Sequence, residues 1–383
     1  GKGKQLVEGM CAGCHALQLI NNSSGYSREH WRELVGAMVD LSGSKAQQEE
    51  VLDYLATNFP PGYNKRPAKP VPGTFKVTFR EYVTPQLGGR TRDPIIAADG
   101  SIWYAGQYGN YIGRYDPKTG QAKEYPLPEK SMPHTVQLDP KGRPWFSGNK
   151  NATMGWIDPA SGKATVYKMP DPDAKDPHTI VFDRKGIAYF TFQASNMIGR
   201  LDPDTGEIKL VKVAAQRSQP YDIKFDAEGM LWVSCNARPC LLKVHPDTLV
   251  VSEVKLPLPT TTVRRLDIAP DGIIWYVNSG SGRIGRLDPK SGAIREWDSP
   301  SGPRSHPYGI AVLDGAVWYN ESGVRPDMLV RFDIATETFQ SWPIKSGNIY
   351  AGILRNARVT KQGTLLIHQT ATNRIIEVTP QKR

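Results

Sequence analysis

Seven related segments, spaced about 42 to 48 residues apart, occupy most of this 383-residue chain. Two of them align almost by eye: "PHTVQLDPKGRPWFSGN" followed by "MGWIDPASGKATVYKMP", and "PHTIVFDRKGIAYFTFQ" followed by "IGRLDPDTGEIKLVKV". Each segment has one large apolar anchor, in order Trp103, Trp145, Tyr189, Trp232, Trp275, Trp318 and Leu366. A unit this short cannot bury its own apolar face, so the copies must stack on one another. Each reads as strand, Asp/Gly turn, strand, loop, strand, Thr/Ser-Gly turn and strand. Four strands in forty-odd residues make one β-propeller blade. The 36 Gly and 31 Pro fit a turn-rich, mostly β chain. The last unit stops at "RIIEVTP", one strand short, while "FKVTFREYVTP" (75–85) looks like a stray fourth strand. The sequence therefore predicts an all-β seven-bladed propeller over 74–383, with its first strand completing its last blade and removing an exposed edge.

In a propeller, the positions entering the first strand of each blade face the central funnel. Eleven residues before each anchor, with one gap in the sixth unit, stand Arg92, His134, His178, Tyr221, Arg264, Tyr308 and Arg355. Four residues after the anchors stand Gln107, Asn149, Gln193, Asn236, Ser279, Ser322 and Thr370, with Glu321 in "WYNE" as a nearby carboxylate. Blade packing does not require arginine there. A ring with three Arg and two His fits an anionic or carbonyl-bearing ligand, and Arg92, Tyr221, Arg264, Tyr308, Arg355, Gln193 and Glu321 are its candidate contacts. A solvated rim of polar residues is the simpler alternative.

The repeated pattern "DG.lWf…n.IgRld..tG.i.ey.lp" resembles the virginiamycin B lyase (streptogramin lyase) family across residues 75–383. That resemblance implies a magnesium ion held by two Glu, and a His acting as general base in an elimination that opens an ester ring. Pro133-His134 matches the first His of the family. Asp176-Pro177-His178 matches its Glu-Pro-His, with Asp for Glu, and Gln193 stands where a second Glu belongs. His134, His178 and Asp176 are thus the candidate catalytic residues. A neutral Gln is a poorer ligand for a hard cation than a carboxylate, which weighs against magnesium.

The first sixty residues are unlike the rest. "CAGCH" (11–15) is a C-x-x-C-H motif, the attachment signature of c-type haem, in which two thioethers hold the porphyrin and the His binds iron. "GKQLVEGMCAGCH", "SREHWRELVGAMVDLSG" and "KAQQEEVLDYLATNF" read as three helices, and their order resembles small class I cytochromes c. The resemblance implies a small all-α domain over 1–60, haem c on Cys11, Cys14 and His15, and Met38 as second axial ligand, with His30 the runner-up. Residues 61–73 are Pro-rich and read as a semi-rigid linker. Cys235 and Cys240 frame "CNARPC"; at a hairpin tip they would form a disulfide, and otherwise they are two thiols.

The formal charge is +10. Residues 1–60 carry five Lys/Arg against seven Asp/Glu, so the positive charge belongs to the propeller. That serves solubility or draws in an anionic ligand or acidic partner. No basic block or nucleic-acid module appears, and no apolar run of 18 residues could span a membrane. The start, Gly-Lys-Gly-Lys, reads as a processed or trimmed one, and the attachment motif predicts a periplasmic or other extracytoplasmic location. The leading expectation is a haem c electron-transfer protein within an oxidoreductase, whose funnel takes a small anionic substrate or a redox partner protein. A lyase with a tethered cytochrome and a non-catalytic scaffold presenting the haem are the alternatives.

Overall fold

The computed structural model describes residues 1–11, 17–21, 23–64, 66–344, 346, 354–370 and 373–381. Cys14 and His15 lie outside them. Four helices come first: α1 (Lys2–Met10), α2 (Gln18–Asn21), α3 (Arg28–Gly36) and α4 (Lys45–Asn58). The Ser27 side chain caps α3 by accepting from His30 N–H, and the helix buries Trp31, Leu34 and Val35. These pack with Val7, Val51, Leu52, Leu55 and Phe59 into one small core. Trp31 Nε1–H donates to the Phe59 carbonyl at 3.1 Å, which fixes the end of α4 against α3. The sequence suggests a helix running through Met38. The observed helix stops at Gly36, a poor helix former, and Met38 lies in the turn beyond it.

Seven four-stranded antiparallel sheets follow, each a blade. Their innermost strands are Thr91–Ile96, Pro133–Leu138, Pro177–Phe182, Pro220–Phe225, Val263–Ile268, Pro307–Leu313 and Leu354–Val359. Second strands such as Pro144–Gly148 and Ala188–Phe192 are buried throughout, because each blade is covered on both faces by its neighbours. Fourth strands such as Ala164–Lys168 are buried much less, as outer edges should be. The cores lie between blades: Trp145 of blade 2 packs with Ile180 and Phe190 of blade 3. Trp145 and Trp232 each donate their indole N–H to an aspartate, Asp139 at 3.0 Å and Asp226 at 2.9 Å, in the turn of their own blade. That accounts for the recurring pairing of Asp turn and Trp anchor.

Strand Val77–Val83 pairs antiparallel with Arg374–Pro380 and closes blade 7, as the missing fourth strand requires. The Pro-rich segment is not a free spacer. Ala68 N–H donates to the Arg325 carbonyl at 3.0 Å, and Val71 exchanges hydrogen bonds with Ser341, so it lies along blade 6. Cys235 and Cys240 form a disulfide across the loop between two strands of blade 4, with Cα atoms 5.5 Å apart. Its closed loop is short, so the Cys235→Ser/Cys240→Ser double variant should lose about 2 kcal/mol of stability, read by chemical denaturation. An unchanged midpoint would mean the bridge is energetically idle.

Candidate functional site

All seven innermost strands carry a register shift near their start, among them Arg92/Ile95, Pro133/Val136, Pro177/Ile180 and Val263/Leu266. A regular strand would send successive side chains to opposite faces. A bulge frees two neighbouring residues from pairing and re-aims them. Here the predicted ring is joined by the next residue along: Asp93, Thr135, Thr179, Asp222, Arg265, Gly309 and Asn356. Blade-to-blade hydrogen bonds fix this backbone. Ser147 Oγ–H donates to the His178 carbonyl at 2.9 Å, Thr191 Oγ1–H to the Tyr221 carbonyl at 2.8 Å, and Ser234 Oγ–H to the Arg264 carbonyl at 3.1 Å.

The second ring holds an ion cluster that reading one position per blade misses. Arg265 lies 2.9 Å from Asp222 and 3.4 Å from Asp93, all three almost fully buried. Thr135 Oγ1–H donates to Asp93 at 2.8 Å. Burial would raise the Asp93 carboxyl, but Arg265 above all, then His368, Arg358 and Arg92, hold it well below the usual carboxylate range. The signal was present in the repeats: the column one residue after the funnel position reads Asp, Asp and Arg in three blades.

The first ring brings most of the sequence candidates together. His134 and His178 stack with centroids 3.6 Å apart, and His178 meets Tyr221 at 3.9 Å. Arg92 contacts His134 Nε2 and donates to Gln107 at 2.9 Å. The Tyr221 and Tyr308 hydroxyls touch, and Arg355 donates to the Tyr308 hydroxyl at 3.3 Å. Arg264 stands over both phenol rings, 5.6 Å from Tyr221 and 5.2 Å from Tyr308. Burial, then Arg92 for His134 and Arg265 for His178, push both imidazoles well below their ordinary value, so both are neutral at pH 7.

Two candidates behave differently from expectation. Glu321 is fully buried and does not face the funnel: Ser299 Oγ–H, Ser301 Oγ–H and Ser301 N–H all donate to it, so it locks blade 5's last loop onto blade 6. Asp176, in the left-handed region at φ 65°, accepts from Asn149 Nδ2, and burial pushes its carboxyl up to about 6. Gln193 meets Asp176 only through the backbone, N–H to carbonyl at 3.3 Å. Among the described residues no three His, Cys, Asp or Glu cluster in a way that could hold a metal. The lyase-type magnesium set does not fit these residues, and no step is derived through it.

The helical unit rests against loops of blades 1 and 7. The Ala37 carbonyl accepts from Gly88 N–H at 3.0 Å and from Asn373 Nδ2 at 3.0 Å. Gly88 leads into the first strand of blade 1, and Asn373 is in a loop of blade 7. A Cβ at Gly88 would lie 2.6 Å from the Met38 carbonyl, and its φ is +62°, so only glycine fits. Met38 is half-buried and packs against the same helical core as half-buried Met10, Cys11, Leu17 and Ile20.

No curated protein matches the sequence. A sequence profile of the virginiamycin B lyase family matches residues 74–240. The selenomethionine virginiamycin B lyase from Staphylococcus aureus is 23% identical, covers 79% of this chain and 99% of its own, and superposes with a TM-score of 0.71. A streptogramin B lyase structure is 22% identical over 80% of this chain and 98% of its own, also at 0.71. A catalytically inactive His-to-Ala variant of the Staphylococcus aureus enzyme with quinupristin gives 22%, 79%, 99% and 0.71. The larger part of the chain is a virginiamycin B lyase-like seven-bladed β-propeller.

Proposed function

We propose that the protein is an extracytoplasmic haem c-bearing redox protein whose propeller funnel binds a small anionic substrate. The observation that carries this is the seat of Met38. It packs against the same helical core as Cys11, and its neighbour Ala37 accepts hydrogen bonds from loops of blades 1 and 7, whose innermost strands carry Arg92 and Arg355 of the funnel. Half-buried Met10, Leu17 and Ile20 leave apolar surface beside Cys11, the kind of wall a porphyrin needs. Cys11 and Cys14 would hold the haem by thioethers, and His15 and Met38 would bind its iron. Bound there, the group supplies a one-electron carrier whose potential Met/His ligation raises. The Cys235–Cys240 disulfide supports an oxidising compartment.

In the funnel, Arg92, Arg264 and Arg355 bind and orient the anion. Neutral His178 retains a ring nitrogen able to accept a proton from it, whereas the free lone pair of His134 is taken by the Arg92 guanidinium. Closed blades and the docked helical unit keep bulk water away.

A second reading is an elimination of the lyase type, favoured by the assembly of His134 and His178 on a lyase-like propeller. It would have to run without the magnesium set. One experiment separates the two. Oxidised full-length protein is mixed without oxygen with a panel of carboxylates, alcohols and cyclic esters. The reduced haem band and ring opening by mass spectrometry are followed together. Haem reduction that is lost in His178→Ala supports the redox reading; ring opening with no change at the haem overturns it.

A further inference from the structure

The two rings of the funnel treat their positive charge differently. Deep in the channel, Arg265 is matched by Asp93 and Asp222. At the mouth, no acid lies within ion-pair distance of Arg90, Arg92, Arg264 or Arg355 among the described residues. The Nε atoms of Arg92, Arg264 and Arg355 are buried and without a hydrogen-bond partner. The crowding shows in Arg90, which burial, Arg92 and Arg355 pull down to about 9, still charged at neutral pH. Buried cations need a compensating anion or a strong set of acceptors. The nearby histidines cannot help, and buried His368 is likewise held well below its ordinary value by burial. His134 and His178 are neutral, and burial, then Arg264 and Arg355, bring His306 down to about 4.

Tyr108 faces Arg90 and Asp176 is bonded to Asn149, which leaves the tyrosine pair as the ionisable group set against Arg264 and Arg355. Tyr308 lies between Arg264, 5.2 Å from its ring, and Arg355, 5.4 Å from it, and its oxygen accepts from Arg355. The Tyr221 hydroxyl touches that same oxygen from blade 4, across the channel from blade 6. A hydroxyl pair flanked by guanidinium groups on both sides is best satisfied when one oxygen only accepts and the other donates.

Resting on the anion-binding reading of the funnel, we propose that the Tyr308 phenolate, with Tyr221 donating to it, is the resident anion of this site, and that a small carboxylate binding Arg92, Arg264 and Arg355 replaces it. The incoming carboxylate takes the guanidinium forks, whose planar geometry it matches. Tyr308 oxygen takes a proton from solvent and becomes a neutral phenol. Charge is conserved at the site, and one proton is taken up per anion bound. Burial alone pushes the Tyr308 phenol up, but Arg355, Arg264, Arg92 and the Tyr221 hydroxyl outweigh it and bring it down to about 7. Burial, then Tyr308, pushes Tyr221 up to about 12, so a single phenolate is shared by the pair.

The sign follows from linkage. Above pH 7 Tyr308 starts deprotonated and must gain a proton, so carboxylate affinity falls by about tenfold per pH unit there and levels off below it. The test uses the full-length holoprotein with acetate and oxalate as probes. Calorimetry at about pH 8, in two amine buffers of different ionisation enthalpy, should report close to one proton taken up per anion, and close to none at about pH 6. Tyrosine labelled with carbon-13 at the ζ position should show one ring titrating near neutrality, a signal absent from Tyr308→Phe. Tyr308→Phe should bind acetate at the higher pH more tightly and with no proton uptake. Binding without proton uptake in the wild-type protein, or no tyrosine titrating near neutrality, overturns the resident phenolate alone. No binding of either probe overturns it together with the anion-binding reading of the funnel.

Discussion

Replacing Arg265 by methionine should cost about 3–5 kcal/mol of stability, the range for stripping one partner from a buried ion cluster. Arg265 joins blade 5 to Asp222 of blade 4, Asp93 of blade 1 and, at 3.2 Å, Thr179 of blade 3. Methionine fills much of the volume but leaves two carboxylates facing each other in the channel. The pH dependence should also change sign. In the native protein Asp93 is held low, so its contribution is present above its unfolded value and lost as pH falls through the acid range. Without Arg265 the buried carboxyls rise instead, so the variant should become less stable as pH climbs out of the acid range. Adding Asp93→Asn and Asp222→Asn should recover most of the loss. Denaturant titrations of the three proteins at acid and neutral pH decide it. A loss below about 1 kcal/mol for Arg265→Met would show that the cluster is not what ties the blades together.

On the proposed haem c reading, Met38→Ala should abolish a weak near-infrared band of iron–Met ligation and lower the potential, because a thioether ligand raises it. The side chain is half-buried in the helical core beside Cys11, so its removal should disturb the fold little. The propeller should melt as before, since its blades do not use Met38. Its backbone is pinned by the neighbouring Ala37 carbonyl, which receives Gly88 and Asn373. An unchanged near-infrared band would exclude Met38 as the ligand. His30 then becomes the next residue to replace.

The repeat period alone was enough to predict the propeller, its blade number and the closing strand. The Asp turn and Trp anchor that recur in the repeats are a hydrogen-bonded pair in blades 2 and 4, Asp139 with Trp145 and Asp226 with Trp232. The first ring of the funnel was also legible, because a fixed offset from the anchor places each residue at the same height. Its partner ring was not. Asp93, Asp222 and Arg265 face the channel only because a bulge releases two adjacent residues, and pairing registers are not written in composition or periodicity. Glu321 stands one residue before the offset position Ser322 and turns away, since two serines of the preceding loop satisfy it better than open channel would.

What the sequence by itself determined was local and periodic: three helices' worth of amphipathic pattern, seven β units, a C-x-x-C-H motif and a polar ring. What only the tertiary structure decided was contact between residues far apart in the chain. Tyr221 meets Tyr308 across non-adjacent blades, and Ala37 rests on Gly88 and Asn373 at opposite ends of the propeller sequence. Those contacts depend on ring closure, which brings the first and last blades together and sets the channel width. Closure is a property of all seven blades at once, so no single window of sequence contains it.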